Sequence, residues 1–520
     1  MEQHLDLHFP LFARGYNMKN EAVYLVLKED LPEACKYFVH ERGGRIFTIL
    51  GNDERQIHGS FALYYIFSID SEQQFITLKI LIGESDLTFP SITNKIPAAN
   101  WYEREIFDLL GIMPLNHPSP YPLIFHHERP RGFYPLRKEF SLDVKIPHQQ
   151  VVEHFTKVEG TGIVQIPVGP IHAGIIEPGH FRFSAVGDTV IHLNARLFYT
   201  HRGIEKRSEG MPLNQALLLA ERICGVCALS HAASFAHAVE NIGQTELPER
   251  ARFLRTIFLE LERLYNHIGD VGNICAGFGF AFGISQGSRL REELLQLNER
   301  ITGHRYLRGV IRLGGTHVDL SLSQIRDIRN TLHRIESEFR ELTEILLSHE
   351  IAMNRMQSTG RLSLSQVMDL EVVGPAARAS GRNIDIRRDQ PYAAYSILSF
   401  SVPHYTEGDV LARIRVRIDE AFQSFSLIDQ AIDRLPTGKI CTPINDLPAY
   451  HWAFGWSESP RGENVHWFMT GPNQTIYRYR IRSAAYSNWP AVPLAVQGNI
   501  IPDFPLINKS FELCYSCCDR

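Results

Sequence analysis

Cysteine is the residue type whose spacing most clearly suggests chemistry. Eight cysteines occur in 520 residues, and five of them fall into two short groups, Cys224-Gly225-Val226-Cys227 and Cys514-Tyr515-Ser516-Cys517-Cys518. A two-residue spacer lets both thiolates of a pair turn toward one ion, and two pairs make a four-sulfur site. That donor set suits zinc used as a staple, or a redox-active transition metal. Zinc ribbons keep their pairs inside one small module, whereas here the second pair comes only in the last residues of the sequence. Joining an internal segment to the end of the chain is an uneconomical staple and a reasonable way to bury a catalytic metal. Spacing alone leaves zinc open. Eight cysteines so distributed do not make a disulfide framework.

Other reactive residues flank the pairs. His231 follows the first pair by one helical turn, His201-Arg202-Gly203-Ile204-Glu205-Lys206 precedes it, and Glu458-Ser459-Pro460-Arg461-Gly462-Glu463 precedes the second pair. A carboxylate near a metal thiolate can relay protons, and a guanidinium can polarise a small molecule bound there. Cys35, Cys275 and Cys441 stand alone and are expected as buried, apolar-like thiols. His117, His126 and His127 offer a second metal group or, as the preferred reading, an ordinary surface loop.

These groups need a scaffold. Hydrophobic residues make up 44% and charged residues 21% of the chain, the balance of a globular protein rather than a disordered or fibrous one. With 53 basic and 58 acidic residues and a net charge of −5, broad nucleic-acid binding is not expected. No apolar run is long enough to span a membrane and no secretory leader is recognisable, so a soluble intracellular chain is expected. Segments 45–50, 60–68 and 74–82 read as strands, the last two as a hairpin. Residues 98–110 read as a helix ending at Gly111. The stretch 114–135 holds six prolines and must be largely irregular. From about residue 185 the pattern turns helical, over 212–241, 249–270, 287–302, 322–350 and 409–434. In 322–350, Ile325, Ile328, Leu332, Ile335, Phe339, Leu342 and Leu346 form one stripe. The first cysteine pair falls inside the first of these helical segments. The expected fold is α+β: a small α/β domain over 1–150, then a mainly helical bundle domain over 160–520, with the boundary near 141–160.

Several segments together resemble the large subunit of [NiFe] hydrogenases: Arg202-Gly203-Ile204-Glu205, Arg222-Ile223-Cys224-Gly225-Val226-Cys227 with His231, Ser459-Pro460-Arg461-Gly462, and Cys514-Tyr515-Ser516-Cys517. The N-terminal part, with Trp101-Tyr102-Glu103-Arg104-Glu105-Ile106 through Ile112 and Tyr134-Pro135-Leu136-Arg137-Lys138, resembles the 30 kDa subunit of respiratory complex I. Gly51-Asn52-Asp53-Glu54-Arg55, Gly374-Pro375 through Gly381, and Tyr477-Arg478-Tyr479-Arg480 belong to the same pattern. The fusion is similar to the complex-I-related hydrogenases of the formate hydrogenlyase and hydrogenase-4 branch.

The resemblance implies that Cys224, Cys227, Cys514 and Cys517 hold nickel. Cys227 and Cys517 would also bridge to an iron carrying CO and CN⁻. It implies heterolytic formation or cleavage of dihydrogen, with the proton leaving through a thiolate and then Glu205. Arg461 would be the cation above the open metal position, and His231 a hydrogen-bonding neighbour of a bridging cysteine. Iron–sulfur clusters would sit on partner subunits only: a small iron–sulfur subunit and a ferredoxin-like subunit. Membrane subunits would hold the assembly at the cytoplasmic face of the inner membrane. The segment Gly169-Pro170-Ile171-His172 through Glu177-Pro178-Gly179-His180 resembles the quinone-pocket lining of the complex I counterpart, with a structural hairpin as the competing reading.

The chain departs from the family pattern in three places. Glu512-Leu513 stands where Asp-Pro is usual, Cys518 where this branch often has threonine, and Arg520 where many other hydrogenases have histidine. Many relatives also lose a C-terminal extension after a position matching Arg520, so the sequence is either the mature form or that of a lineage without the extension. The alternative function is a non-catalytic scaffold or quinone-type subunit of a complex-I-like ion pump. A zinc-stapled structural protein is the third reading.

Overall fold

The computed structural model describes residues 11–14, 18, 20–126, 132–145, 155–173 and 176–520. Its N-terminal part is a five-stranded sheet of β1 (Leu11–Arg14), β2 (Glu21–Leu25), β3 (Arg45–Glu54), β4 (Ser60–Ile69) and β5 (Gln74–Ile82), in the order β1-β2-β5-β4-β3. β4 and β5 form the expected antiparallel hairpin, and β2 adds to β5 in parallel. Helix α1 (Asn100–Leu110) ends at Gly111, which takes the left-handed conformation (φ 79°) that favours glycine at a helix end. α1 lies so close to β3 that a methyl on Gly51 would sit 2.5 Å from Leu110 Cδ1.

β3 and β4 are buried along almost their whole length, because both faces are covered. One face meets α1. The other meets a C-terminal antiparallel sheet, described below as β9 to β11, through an aromatic layer in which Phe47 packs on Phe454, Phe75 on Trp456, and Tyr64 on Trp452 and Trp467. A bulge between Ile46 and Thr48 breaks the alternation of β3. Phe47 and Asn52 therefore both reach that sheet, Asn52 through Arg478 and Met469.

Beyond the first part the chain forms a hairpin sheet, β6 (Ile163–Val168), β7 (His180–Val186) and β8 (Thr189–Arg196). Helices α2 (Ile204–Arg207), α3 (Leu213–Ala220), α4 (Ala228–Ile242), α5 (Glu249–Cys275), α6 (Ala281–Thr302), α7 (Leu322–Ser348) and α8 (Val410–Asp433) follow. Strands β9 (Trp452–Ser459), β10 (Gly462–Thr470) and β11 (Ile476–Arg482) come next, and then the closing helices α9 (Phe504–Phe511) and α10 (Tyr515–Asp519). The stripe of α7 is buried from Ile328 to Leu346, with Ile325 half-buried.

Three expectations need correction. The second part, expected as a mainly helical bundle, also carries the sheets β6–β8 and β9–β11, so both parts of the chain mix helices and strands. Segment 212–241 is two helices, not one, and the first cysteine pair lies in the turn between them rather than inside a helix. Segment 322–350 breaks at His349, whose extended ψ of 106° ends α7 and whose Nδ1 accepts the Ala352 N–H of the next helix. Of the expected boundary at 141–160, residues 146–154 lie outside the described residues. No helix among the described residues is long and apolar enough to cross a membrane.

Candidate metal centre

Both cysteine pairs are built by the same local device. Cys227 immediately precedes α4 and its N–H points at Cys224 Sγ, 3.3 Å away; Cys514 immediately precedes α10 and receives the Cys517 N–H at 3.4 Å. Each first sulfur thus takes an otherwise unpaired donor from the first turn of a helix. Glu262 of α5 fixes the start of α4 by accepting the N–H groups of Leu229 (2.8 Å) and Ser230 (2.9 Å). Glu177 does the same for α10, accepting the Ser516 N–H at 2.6 Å.

The fold brings the two pairs together. Cys227, Cys514 and Cys517 all act electrostatically on Cys224. His231, one turn into α4, places Nε2 3.2 Å from Cys517 Sγ. On the other side Arg461 Nη1 stands 3.8 Å from Cys227 Sγ. Arg461 occupies the tip of the tight β9–β10 turn, where Ser459 pairs with Gly462. That tip packs on Gly374 (φ 70°), where a Cβ would sit 2.3 Å from the Arg461 carbonyl oxygen. Its guanidinium bonds to Asn266 and, at 3.0 Å, to Asp270, one turn apart on α5, and its Nε donates to the Glu512 carbonyl at 2.9 Å.

The electrostatics describe a donor set short of positive charge. Hydrogen bonds from the three other thiols pull Cys224 well below the ordinary thiol range. Bonding to Cys224 and burial hold Cys227, Cys514 and Cys517 well above it. Without a further cation the four sulfurs do not favour ionising together. A soft metal ion is the group that would let all four ionise. Among the described residues no three metal-capable side chains already stand in a coordinating arrangement. The donor types and their grouping fit a thiolate-held metal, and the sulfurs would draw in around it. Burial pushes His231 down to about 4, so its imidazole is neutral.

Glu205 lies at the start of α2, buried, and its Oε1 accepts the Ile481 N–H at 2.8 Å. Arg480 Nε is 3.4 Å and Arg520 Nη1 3.3 Å from its carboxylate oxygens. Glu105, from α1 of the N-terminal part, pairs with the same two arginines. Glu205 is thus held in an ion-pair quartet rather than against a sulfur. Two further residues extend the site. His466 Nε2 is 2.9 Å from His231 Nδ1, and Tyr479 Oη is 2.6 Å from His466 Nδ1. Sequence reading missed His466, Tyr479, Glu177, Glu262, Asn266 and Asp270 as site residues. Tyr479 and Glu177 lie inside quoted motifs, and the spacing of Asn266 and Asp270 on one helix face was the available signal for that pair.

Other candidates fall elsewhere. Glu458 bonds Arg378, and Glu463 bonds Arg45 and Arg482, so neither approaches the sulfurs. His117 is buried, with Nε2 3.9 Å from Glu103, while His126 bonds the Leu197 carbonyl; His127 lies outside the described residues. His117 and His126 form neither a metal group nor an exposed loop. The segment 169–180, with Gly174 and Ile175 outside the described residues, closes on itself: His172 bonds the Gly179 carbonyl and His180 that of Gly169. Glu512 ends α9 in the left-handed conformation (φ 53°); its carboxylate accepts from Asn273 and is lifted by burial to about 7. Cys35, Cys275 and Cys518 are fully buried, and Cys441 is half-buried.

The profile of the respiratory-chain NADH dehydrogenase 30 Kd subunit matches residues 24–145, and that of the 49 Kd subunit matches 278–451 and 447–520. The nickel-dependent hydrogenase profile matches residues 202–270, the stretch containing the first cysteine pair. Formate hydrogenlyase subunit 5 of Escherichia coli (strain K12) is 36% identical over 99% of this chain and 92% of its own length. Hydrogenase-4 component G of the same organism is 35% identical over 96% of this chain and 88% of its own. The carbon monoxide-induced hydrogenase of Rhodospirillum rubrum is 32% identical over 68% of this chain and 99% of its own. The chain belongs to the family of hydrogenase large subunits of complex-I-like, nickel-dependent hydrogenases, with a 30 Kd-type domain fused ahead of the 49 Kd-type region.

Proposed function

We propose that the chain is the catalytic large subunit of a complex-I-like [NiFe] hydrogenase that forms or cleaves dihydrogen and exchanges electrons with a partner iron–sulfur subunit. The observation that carries this reading is the grouping of four cysteines from two distant segments, three buried and Cys514 half-buried, between a neutral His231 and the fixed cation of Arg461. Cys224, Cys227, Cys514 and Cys517 would hold nickel, with Cys227 and Cys517 shared with an iron carrying CO and CN⁻. Such a centre would supply the redox chemistry by which dihydrogen is split into, or made from, two protons and two electrons. Arg461, pinned by Asn266, Asp270 and the Glu512 carbonyl, keeps positive charge beside Cys227 without moving. Glu205 is the carboxylate that exchanges the proton.

A cavity of 880 Å³ opens beside Cys514, lined in part by Arg202, Arg222, Asn273, Arg308, Lys509 and Ser516. Its basic rim is the proposed seat of the iron–sulfur small subunit. A ferredoxin-like subunit and membrane subunits would complete the assembly on the cytoplasmic side of the inner membrane. Residues 1–150 act as the docking domain and 160–520 as the catalytic domain. Infrared spectroscopy of the anaerobically purified complex, with nickel and iron analysis of the same sample, tests the reading. CO and CN⁻ bands with nickel equimolar to the chain are expected. Their absence, in cells that mature other hydrogenases, would leave the non-catalytic scaffold.

A further inference from the structure

Three side chains lead away from the cysteine cluster in one unbroken hydrogen-bonded line: Cys517 Sγ to His231 Nε2 (3.2 Å), His231 Nδ1 to His466 Nε2 (2.9 Å), and His466 Nδ1 to Tyr479 Oη (2.6 Å). His231, His466 and Tyr479 have no measurable exposure. The line is a product of sheet register. His466 on β10 lies opposite Ile481 on β11, so Tyr479, two residues before Ile481, is its diagonal neighbour on the same face. α4 packs across that face and delivers His231.

We propose that Tyr479 and His466 are positioning residues: they fix which nitrogen of His231 carries its proton, so that an N–H faces the Cys517 sulfur. For its effect at the metal this rests on the nickel–iron reading above; for the tautomer itself it does not. A neutral imidazole donates through one nitrogen and accepts through the other. A second proton on either ring would set two N–H groups against each other or leave the Tyr479 hydroxyl proton without an acceptor. The line therefore has only two internally consistent proton arrangements, one running each way. Its far end chooses between them. Among the described residues the Tyr479 hydroxyl has His466 Nδ1 as its hydrogen-bonding partner, and a buried hydroxyl proton pointing elsewhere would be an unsatisfied donor. Tyr479 Oη–H thus donates to His466 Nδ1, His466 Nε2–H donates to His231 Nδ1, and His231 Nε2–H donates to Cys517. The consequence is a donor held on a sulfur from 228–242 and 462–482 together, which draws electron density from that sulfur and favours its thiolate.

The experiment compares the full-length wild type with Tyr479→Phe, a change that removes one oxygen and keeps the ring. Nitrogen NMR of the histidine-labelled chain reads the tautomer of His231 directly. The wild type is expected to carry the proton on Nε2, and Tyr479→Phe to show a mixture of the two tautomers. A wild-type proton on Nδ1, or an unchanged tautomer in the variant, overturns the proposal whether or not metal is bound. In the assembled complex, Tyr479→Phe is expected to keep its nickel and to shift the CO stretching band to lower wavenumber, because a more electron-rich sulfur strengthens back-donation. An unmoved band with full nickel content also counts against the proposal. A wild type without any CO or CN⁻ band would sink the nickel–iron reading and leave the tautomer measurement to decide this one.

Discussion

Glu463 joins the two halves of the molecule, and its neutralisation tests whether they fold as one. Its carboxylate takes two parallel bonds from Arg45 of β3, at 3.0 and 2.6 Å, and a third from Arg482 of β11. Arg45 and Arg482 are 5% and 2% exposed, and Asp70, 2.6 Å from Arg45 Nε, is the other carboxylate in the group. In Glu463→Gln Arg45 keeps Asp70, while buried Arg482 is left with the carbonyl oxygens of Phe47 and residue 463. Breaking a buried pair by removing one partner costs about 3–5 kcal/mol. The retained amide oxygen still accepts one bond and Arg482 keeps the Phe47 carbonyl, so the lower end, about 3 kcal/mol, is expected. Urea unfolding of the full chain, followed by tryptophan fluorescence, is a direct assay because Trp452, Trp456 and Trp467 line the same interface. The double variant Arg482→Met/Glu463→Gln should recover at least about 1.5 kcal/mol of the loss, since it removes the stranded charge. A loss below about 1 kcal/mol in Glu463→Gln, or a double variant no better than the single, would refute the coupling.

Glu205→Gln is expected to keep nickel bound but to lose hydrogen–deuterium exchange, and normal exchange in that variant would exclude Glu205 as the proton carrier. Cys517→Ser is expected to abolish nickel incorporation; wild-type activity there would remove the whole centre. Glu21, buried on β2, has its pKa pushed up to about 8 by burial, against a bond from Thr77 of β5. The folded state then holds a proton that the unfolded chain has released between the ordinary glutamate value and about 8, so stability falls as pH rises across that window at about 1.4 kcal/mol per pH unit. Glu21→Gln should flatten that slope, gaining roughly 2–4 kcal/mol on the wild type between pH 5 and 8 in urea titrations, and an unchanged slope would show the carboxylate is not neutral in the fold. Gly374→Ala is expected to cost about 2 kcal/mol or more, from a positive φ and a contact with the Arg461 carbonyl, and to free Arg461 from its seat; a thermal midpoint equal to the wild type would contradict this.

Much of the fold was legible because it is local. The 45–54, 60–69 and 74–82 strands carry β-branched and aromatic runs, and α7 shows its apolar stripe without interruption. The cysteine pairs were legible because their chemistry resides in a four-residue spacing. The break at Cys224 was not, since Leu217, Ala220, Ile223, Cys224 and Cys227 continue a helical apolar phase through the turn. β9 and β11 were missed for a different reason. Trp452, Phe454 and Trp456 alternate with residues that are also buried, and Tyr477-Arg478-Tyr479-Arg480-Ile481-Arg482 looks like a strand with one solvated face, yet every residue in it is buried. Partners far along the chain neutralise those arginines, and no window of sequence contains them. The same holds for His466, whose only signal was a lone histidine in an apolar strand.

The arginines of β11 also bear on how such a chain arises and how it can be cut. Arg478 bonds Asn52 and the Leu136 carbonyl, Arg480 bonds Glu105, and Arg482 bonds the Phe47 carbonyl. All of these partners come from the N-terminal part. A chain truncated before residue 155 would therefore leave three guanidinium groups and an aromatic layer facing water, and is expected to aggregate rather than to fold as a smaller enzyme. If the two parts were supplied as separate polypeptides, each would need the other at a concentration that saturates this contact. Tethering them replaces that encounter with an intramolecular one at an effective concentration on the order of millimolar, so a single gene product removes the need to balance two.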